Sequence, residues 1–333
     1  MATETVSHRE RMQACLAGET LKRVPVALWR HFPVDDQDPL RLARAVIHFQ
    51  RTYDFDFVKV TPASSFCLKD WGAEDVWRGA TEGTRDYSGA VIESPDDWAR
   101  LPVLDPRKGH LGDQLECLRI IIRELGPETP VIQTIFNPLS QAKNLVGKNN
   151  LEVHLRRDPK AVHAGLKTIA ESTKRFIEAA QETGIAGLFF AVQHAQFAVL
   201  SVGEYELFGR RYDLEVLEAS EALWLNVLHI HGEDIQFDQL ADYPVEVVNW
   251  HDRETPPSLP EGKRRFSGVV CGGIRREETL TFGTPEDVVA EAREAIRSTR
   301  GERIILGTGC VSPIIAPHGN LMAARQVVEG NEG

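Results

Sequence analysis

The sequence predicts a (β/α)8 barrel, formed as one domain over residues 1–333. Short apolar runs rich in β-branched and aromatic residues recur along the chain, and most are bounded by Gly, Pro or Asp. These runs are continuous rather than alternating, which is typical of parallel strands buried on both faces. Helical patterns lie between several of the runs, and 333 residues is an ordinary length for one large barrel.

Eight apolar runs are predicted as strands, which is the number that closes such a barrel. In chain order they are VPVALW (24–29), FDFVKVT (55–61), PVIQTIF (130–136), IAGLFFAV (185–192), LWLNVLHIH (223–231), VEVVNW (245–250), FSGVVCG (266–272) and RIILGTG (303–309). A doubly wound open sheet is the competing fold, since it alternates strands and helices in the same way.

Two of the intervening segments carry complete helix signals. The first, over 158–184, starts with Asp158 as N-cap and Pro159 in the first helical position, and it stops at Gly184. The second, over 284–301, has Thr284 as cap and an acidic residue three positions later. The apolar residues that share one face of the first helix are Leu166, Ile169, Phe176, Ile177 and Ala180.

Two kinds of connection depart from the regular pattern. The stretch at about 62–129 is long, and within it VWRGATEGTRDYSGAVIE (76–93) predicts a hairpin excursion over the barrel mouth. The crossings between the fifth, sixth and seventh strands are short, and little more than one helical turn fits between Gly232 and Val245. The sequence therefore predicts one barrel with a long, hairpin-containing insertion.

Composition narrows the class of partner. The formal net charge is −11, which disfavours non-specific binding to nucleic acid or to an anionic membrane. The five cysteines are odd in number and widely spaced, so reduced thiols in a cytoplasmic protein are expected. Neither an uninterrupted apolar run of about 18 residues nor a secretory signal is present, so we expect no membrane span.

Residues at the carboxyl ends of the predicted strands are the candidates for chemistry, because active sites of these barrels lie there. In LHIHG (228–232), His229 and His231 are two apart on a strand and so share one face, near the barrel mouth. Two neutral imidazoles can bind a transition metal. Cys310, after the eighth strand, is the natural third ligand, and three ligands with one open position describe a catalytic zinc site.

Other strand ends supply further candidates, and their position is the only argument for them. His251 and Arg30 are candidate catalytic residues. The candidate substrate contacts are Arg30, Asn137, Gln193, His194 and Asn249. Cys271 is either a fourth metal ligand, which would close the site to substrate, or a small buried hydrophobe. A histidine pair on a strand can also be a polar pair in the core.

The whole chain resembles the uroporphyrinogen decarboxylase superfamily. RMQACLAGETLKRVPVALWR (11–30) is similar to that family's opening helix and first strand. GGIRREETLTFGTPEDVVAEAREAI (272–296) and IILGTGCVSPIIAPHGNLMAA (304–324) resemble its last two barrel units. The resemblance implies a (β/α)8 barrel, in agreement with the strand count.

One branch of that family decarboxylates a tetrapyrrole with many carboxylates and uses no cofactor. Its members carry an R-Q-A-G-R motif after the first strand and an aspartate in an F-S-D segment after the second. Here residues 30–34 read RHFPV, which keeps only Arg30, and residues 64–67 read SSFC, without an aspartate. A polycarboxylate needs several cations around it, so the resemblance does not extend to uroporphyrinogen as substrate.

The other branch, the cobalamin-dependent methyltransferases, matches the chain at the metal site. Its zinc ligands are His-x-Cys and a distant Cys, which correspond to His229, His231 and Cys310, with histidine in place of one cysteine. The resemblance implies a zinc-dependent enzyme that moves a methyl group between a corrinoid and a small thiol, methyl ether or amine. The chain has no D-x-H-x-x-G corrinoid motif, so the corrinoid would be a co-substrate or belong to a partner protein. A homodimer is expected from the resemblance alone.

The substitution of histidine for cysteine has a chemical consequence. One thiolate and two imidazoles make a zinc–thiolate complex neutral, which acidifies a bound thiol more strongly but leaves a weaker nucleophile. The methyl acceptor can therefore differ from coenzyme M, or the transfer can run in the demethylating direction. Two alternatives stay open: a metal-free decarboxylase or lyase that uses Arg30, and a non-catalytic barrel that binds a tetrapyrrole or corrinoid.

Overall fold

A curled parallel sheet organises the fold in the computed structural model, which describes residues 6–147 and 150–329. The strands are β1 (Val58–Val60), β2 (Glu74–Val76), β3 (Asp86–Ser88), β4 (Val131–Phe136), β5 (Gly187–Val192), β6 (Val227–Ile230), β7 (Val247–Trp250), β8 (Val269–Ile274) and β9 (Ile304–Thr308). Seven of them form the sheet, in the order β1-β4-β5-β6-β7-β8-β9, and β2 and β3 form a separate antiparallel pair.

The first predicted strand closes this sheet into a barrel. Val26 forms a parallel bridge with Leu306 of β9, where the Ala27 N–H donates to the Leu306 carbonyl at 2.9 Å. On its other side, the Val26 carbonyl accepts from the Asp56 N–H at 2.9 Å. The predicted barrel is therefore confirmed and the open sheet is wrong. The strand shrinks to one bridge because Pro25 has no N–H and the Val26 N–H donates to the Asp56 carboxylate instead (2.8 Å).

Helices surround the barrel and supply the outer layer. They are α1 (His8–Ala17), α2 (Pro39–Tyr53), α3 (Gly109–Leu125), α4 (Pro138–Val146), α5 (Leu151–Arg157), α6 (Pro159–Gln181), α7 (Val202–Tyr205), α8 (Arg211–Leu217), α9 (Phe237–Leu240), α10 (Leu259–Arg265), α11 (Pro285–Thr299) and α12 (His318–Gln326). Within the described ranges, none of them has both the length and the apolar character that crossing a bilayer requires.

The two predicted helices form, and the apolar face predicted for α6 is buried, but only α11 has the predicted side-chain cap. In α11 the Thr284 hydroxyl accepts from the Asp287 N–H and the Asp287 carboxylate accepts from the Thr284 N–H, as the capping box predicts. The prediction for α6 is wrong at Asp158, whose side chain makes no cap hydrogen bond. Its N–H completes α5 by donating to the His154 carbonyl, and this holds Asp158 at φ −130°, ψ 51°.

Side chains of the barrel strands alternate between two cores. One set points into the barrel, and it includes Trp29, Phe57, Phe189, Val227 and Cys271. The intervening residues point outward and pack under the helices, as Leu228 and Ile230 of β6 do. This period of two decides which strand-end residues can reach the barrel mouth.

The predicted hairpin is present and covers part of the mouth. β2 pairs with β3 in the register Glu74↔Ser88, and the loop between them binds the chain that follows β9, where the Ile314 N–H donates to the Thr81 carbonyl at 2.7 Å. The second half of the predicted insertion is α3, a regular barrel helix that packs on α2. The short connection predicted between Gly232 and Val245 is confirmed, since its helix, α9, is a single turn.

Candidate metal centre

Four side chains converge at the barrel mouth, and we call them the donor cluster: His229, His231, His251 and Cys310. One ligand atom from each lies within 4.8 Å of the others. They follow the carboxyl ends of β6, β7 and β9. The first two are neighbouring strands, and β8 lies between β7 and β9. Three of the four residues are buried and His231 is half-buried.

The spacing of these donor atoms matches a tetrahedral zinc site. Cys310 Sγ lies 3.6 Å from His229 Nε2 and 3.8 Å from His231 Nδ1, and His251 Nε2 lies 3.3 Å from His231 Nδ1. Ordinary Zn–S and Zn–N bond lengths place tetrahedral ligands about 3.5 Å apart for a sulfur–nitrogen pair and about 3.4 Å apart for two nitrogens. The residues present therefore fit a transition metal in both chemistry and spacing.

Two glycines bring Cys310 to the histidines. A Cβ at Gly309 would lie 2.7 Å from the Cα of His251, and a Cβ at Gly307 would lie 2.8 Å from the Ala27 carbonyl. Both positions therefore exclude a side chain. Between these two glycines, the Thr308 hydroxyl donates to the Cys310 carbonyl at 2.6 Å, which fixes the turn that carries the thiol.

Asn249 orients the ring of His229. The Asn249 Nδ2 donates to the Cys271 carbonyl at 2.9 Å and to the Thr308 carbonyl at 3.0 Å, so its Oδ1 faces His229. That oxygen lies 2.7 Å from His229 Nδ1, which must carry the proton. The Nε2 lone pair then points at the donor cluster, as metal-bound histidines are usually held.

A carboxylate orients His251 in the same way. His251 Nδ1 lies 2.9 Å from Glu254 Oε2, so its Nε2 faces the donor cluster. Glu254 is also 3.7 Å from Arg276, whose guanidinium pairs with Glu82 in the hairpin loop. Burial lowers the pKa of His251, but the Cys310 thiolate and Glu254 outweigh burial and raise the pKa to about 9.

The donor cluster favours the thiolate form of Cys310. Burial alone would raise the pKa of this thiol, but His229, His231 and His251 hold it well below its usual value. Burial also lowers the pKa of His229, which keeps that ring neutral. A thiolate and neutral imidazoles are the protonation states that bind metals.

Arg30 and Asn137 are not brought to the donor cluster. Arg30 follows the inward-facing Trp29 and points outward, where its guanidinium lies 5.2 Å from the centroid of the Phe32 ring and donates to the Ile314 carbonyl at 3.2 Å. Asn137 is buried and caps α4, and its Nδ2 donates to the Asp213 carboxylate at 2.9 Å. Both therefore have contacts that account for their burial.

Gln193 and His194 follow β5, and His194 lies close enough to His231 to influence it electrostatically. His194 is 6% exposed, and its Nδ1 has no partner among the described residues. Burial, Lys143 and His231 lower the pKa of His194 to about 3. Gln193 is half-buried. Cys271 points into the barrel below the donor cluster and is not part of it, and burial raises the pKa of its thiol.

Three residues near the site were not among the predicted site residues. Glu254 stands three positions after His251, a spacing that places a carboxylate beside an imidazole. His31 and Lys59 stand two positions after Trp29 and Phe57, whose side chains point into the barrel, so the alternation of side chains along a strand could have identified both. Both are buried, and burial lowers the pKa of each by more than the charge of Cys310 raises it.

One family model matches almost the whole chain, and three individual proteins match between 58% and 69% of it. The sequence model of the uroporphyrinogen decarboxylase (URO-D) family matches residues 7–330. A methylcobamide:CoM methyltransferase, MtbA, of Methanosarcina acetivorans is 23% identical over 236 residues, which cover 69% of this chain and 67% of that protein. The Methanosarcina mazei MtbA is 25% identical over 64% of this chain and 62% of its own length. A uroporphyrinogen decarboxylase of Synechococcus is 23% identical over 58% of this chain and 56% of that protein.

The solved structures that resemble this chain share its fold over nearly the full length. A methyltransferase from Methanosarcina mazei superposes with a TM-score of 0.84 at 19% identity, covering 98% of this chain and 99% of that one. A B12-independent methionine synthase from Shewanella superposes with a TM-score of 0.60 at 15% identity, covering 95% and 98%. At these identities, the two structures support the barrel fold alone.

Proposed function

The chain belongs to the uroporphyrinogen decarboxylase (URO-D) family, and from this premise we propose that it is a zinc-dependent, corrinoid-linked methyltransferase. Its similarity to two methyltransferases of Methanosarcina makes it an enzyme of the methyltransferase type. The alignments with the relatives span about two thirds or less of their lengths, so zinc, corrinoid and substrate are proposals here. The observation that carries them is the donor cluster, in which Asn249 fixes the tautomer of His229.

His229, His231 and Cys310 would hold the metal. Cys310 Sγ has the separation from His229 Nε2 and from His231 Nδ1 that two ligands of a tetrahedral zinc ion have, and the lowered pKa of Cys310 favours its thiolate form. Bound zinc would acidify a coordinated thiol or polarise the heteroatom that carries a methyl group. The corrinoid would be a free co-substrate or would belong to a partner protein.

His251 is the proposed acid–base residue. Its Nε2 faces the donor cluster and its Nδ1 donates to Glu254. Because the pKa of His251 is raised to about 9, the charged ring can give the proton on Nε2 to the heteroatom that loses a methyl group. In the reverse direction, the deprotonated ring can accept the proton that a substrate thiol loses. Using His251 in this way leaves the fourth position of the zinc site for substrate. Gln193 and His194, beside His231, remain proposed substrate contacts.

The replacement of a thiolate by His231 affects the choice of substrate. Two imidazoles and one thiolate leave the site one unit more positive than two thiolates and one imidazole would. A more positive site acidifies a bound thiol more strongly and makes its thiolate a weaker nucleophile. We therefore propose either a thiol acceptor of low pKa or demethylation of a methyl ether or amine, with the corrinoid as methyl acceptor.

Metal content is the first test. Protein purified without added metal should contain about one zinc per chain, and Cys310→Ala and His231→Ala should each lose it. Cys271→Ala is the matched control, because Cys271 is a buried cysteine outside the donor cluster. Retention of zinc by the Cys310 and His231 variants, or wild-type protein without affinity for zinc, would contradict the proposal.

Methyl transfer is the second test. The absorbance difference between methylcobalamin and cob(I)alamin reports transfer in either direction, with thiols offered as acceptors and methyl ethers or amines as donors. We expect turnover by the wild type and by Cys271→Ala, and none by Cys310→Ala. Turnover that survives the loss of Cys310 would remove the thiolate from the site. A tetrapyrrole that stays bound without any spectral change over time would instead identify a binding protein.

A further inference from the structure

Beside the donor cluster, the barrel mouth contains a buried cation that the proposed reaction does not use. Lys59 lies on β1 and is 7% exposed. Its Nζ donates to the Thr61 hydroxyl at 3.2 Å and lies 4.4 Å from the centroid of the Phe189 ring. Neither contact supplies a negative charge, and within the described residues no carboxylate forms an ion pair with Lys59.

Two other cations with largely buried side chains do have a carboxylate partner. The guanidinium of Arg85 lies 2.7 Å from Asp36, and that of Arg23 lies 2.9 Å from Asp56. A buried ammonium without such a partner is strongly unfavourable. Burial lowers the pKa of Lys59 to about 7, although the Cys310 thiolate opposes that shift. A buried ionisable group with a strongly shifted pKa at the mouth of a barrel is a candidate for a functional site.

Further polar atoms without partners surround Lys59. Within the described part of the chain, Trp29 Nε1, His31 Nδ1 and Ser312 Oγ are buried and make no hydrogen bond. They belong to one corner of the mouth: the Ser312 N–H donates to the Trp29 carbonyl at 2.8 Å, and Lys59 Nζ lies 5.9 Å from the Trp29 ring.

The same corner lies next to the donor cluster and is shielded from water. The Phe189 ring that contacts Lys59 stacks on the His229 ring, with the two centroids 5.2 Å apart. The Phe189 ring therefore contacts both the donor cluster and Lys59, so the two lie within the length of a small molecule of each other. Gly83 in the hairpin loop covers His31 so closely that a Cβ there would lie 2.4 Å from the Cβ of His31. Exclusion of water strengthens a charge–charge interaction.

We propose that Lys59, with the polar groups of Trp29, His31 and Ser312, binds a carboxylate or another small oxyanion group of the substrate. The substrate is then a small molecule with an anionic group at one end and the methyl-accepting or methyl-bearing heteroatom at the other. The position of that heteroatom rests on the proposed function, whereas the anion subsite does not.

Cobalt(II)-substituted protein tests the subsite without turnover, because a bound thiolate gives a visible charge-transfer band. The two probes are 3-sulfanylpropanoate and its neutral methyl ester. Wild type should bind the carboxylate about tenfold or more tightly than the ester, as a charge-assisted hydrogen bond predicts. Lys59→Met should bind both probes with the affinity of the ester, and Lys59→Arg, which keeps the charge, should retain part of the preference.

Metal-free protein provides a second measurement that is independent of the proposed reaction. At constant ionic strength, propanoate should raise the thermal midpoint of the wild type but not of Lys59→Met. The variant should fold, because it replaces an unpaired buried charge with an apolar side chain of similar length. If cobalt fails to bind while the propanoate effect depends on Lys59, the methyltransferase proposal fails and the subsite stands. Equal binding of the two probes by wild type, or equal weakening of both in Lys59→Met, overturns the subsite.

Discussion

The two ends of the barrel differ in how their buried ionisable groups are paired. At the amino-terminal end, the buried Asp56 carboxylate accepts from Arg11 at 2.6 Å, from Arg23 at 2.9 Å and from the Val26 N–H at 2.8 Å. At the carboxyl end, three imidazoles and a thiol are packed together, and Lys59 is buried with no carboxylate partner among the described residues. The first arrangement is complete within the protein, whereas we propose that a metal ion and a ligand supply the partners that the second lacks.

This difference separates residues that stabilise the fold from residues that serve chemistry. Asp56 joins α1 and the first strand segment, so its contacts close the barrel where no active site forms. The donor cluster lies at the opposite end of the barrel, after β6, β7 and β9, where Asn249 and Glu254 orient two of the buried histidine rings. Substitutions at the two ends should therefore separate stability from metal binding.

Asp56→Ala should have the largest effect on folding. It leaves two partly buried arginines and a backbone N–H without their acceptor, which for a buried ion pair costs about 3–5 kcal/mol of unfolding free energy. Urea unfolding measures this loss, and the zinc content of the folded fraction should not change. A loss below about 1 kcal/mol, or loss of zinc from folded protein, would contradict the separation of the two ends.

Asn249→Ala should weaken metal binding without abolishing it. The substitution frees the His229 ring to rotate or change tautomer, and such supporting contacts are worth about 10–100-fold in metal affinity. Competition with a zinc chelator measures the change. Asn320→Ala is the matched control, since Asn320 also donates to two backbone carbonyls but lies on α12. Equal zinc affinity in the two variants would show that Asn249 does not orient His229.

Glu254→Gln tests whether His251 moves a proton or holds the metal. The glutamine keeps a hydrogen bond to His251 but removes the negative charge, so methyl transfer should fall by about tenfold while zinc content stays the same. Glu291→Gln is the control, because Glu291 pairs with Arg275 away from the donor cluster. Loss of zinc together with activity would instead make His251 a metal ligand.

The sequence predicts the donor cluster well because a strand's period of two is a strong geometric rule. It places His229 and His231 on one face, and the barrel brings Cys310 to the same end. The same rule, applied to the other strand ends, would have separated Lys59, which points inward, from Arg30 and Asn137, which point outward. The position of a residue at a strand end does not tell whether its side chain points inward or outward; the alternation along the strand must also be counted.

Other features depend on contacts between distant residues, and no local pattern predicts them. The first strand is reduced to a single bridge because the Asp56 carboxylate takes the Val26 N–H. Asn249 supports His229 because two backbone carbonyls from β8 and β9 hold its amide. Asp158 fails as a cap because α5 ends on its backbone. In each case a tertiary hydrogen bond or a neighbouring element overrides the local signal.

Arg30→Met should have the smallest effect and tests the role that strand-end position gave to Arg30. The guanidinium faces Phe32 and Phe49 under α2, at 5.2 Å and 5.5 Å from their ring centroids, and donates to the Ile314 carbonyl. Methionine keeps the packing and removes the cation–π contact, so the loss of stability should be about 1 kcal/mol. Methyl transfer, measured as kcat/KM, should stay within about twofold of wild type. A folded Arg30→Met protein with full zinc but a hundredfold lower kcat/KM would place Arg30 at the substrate and would mean that this corner of the mouth rearranges during the reaction.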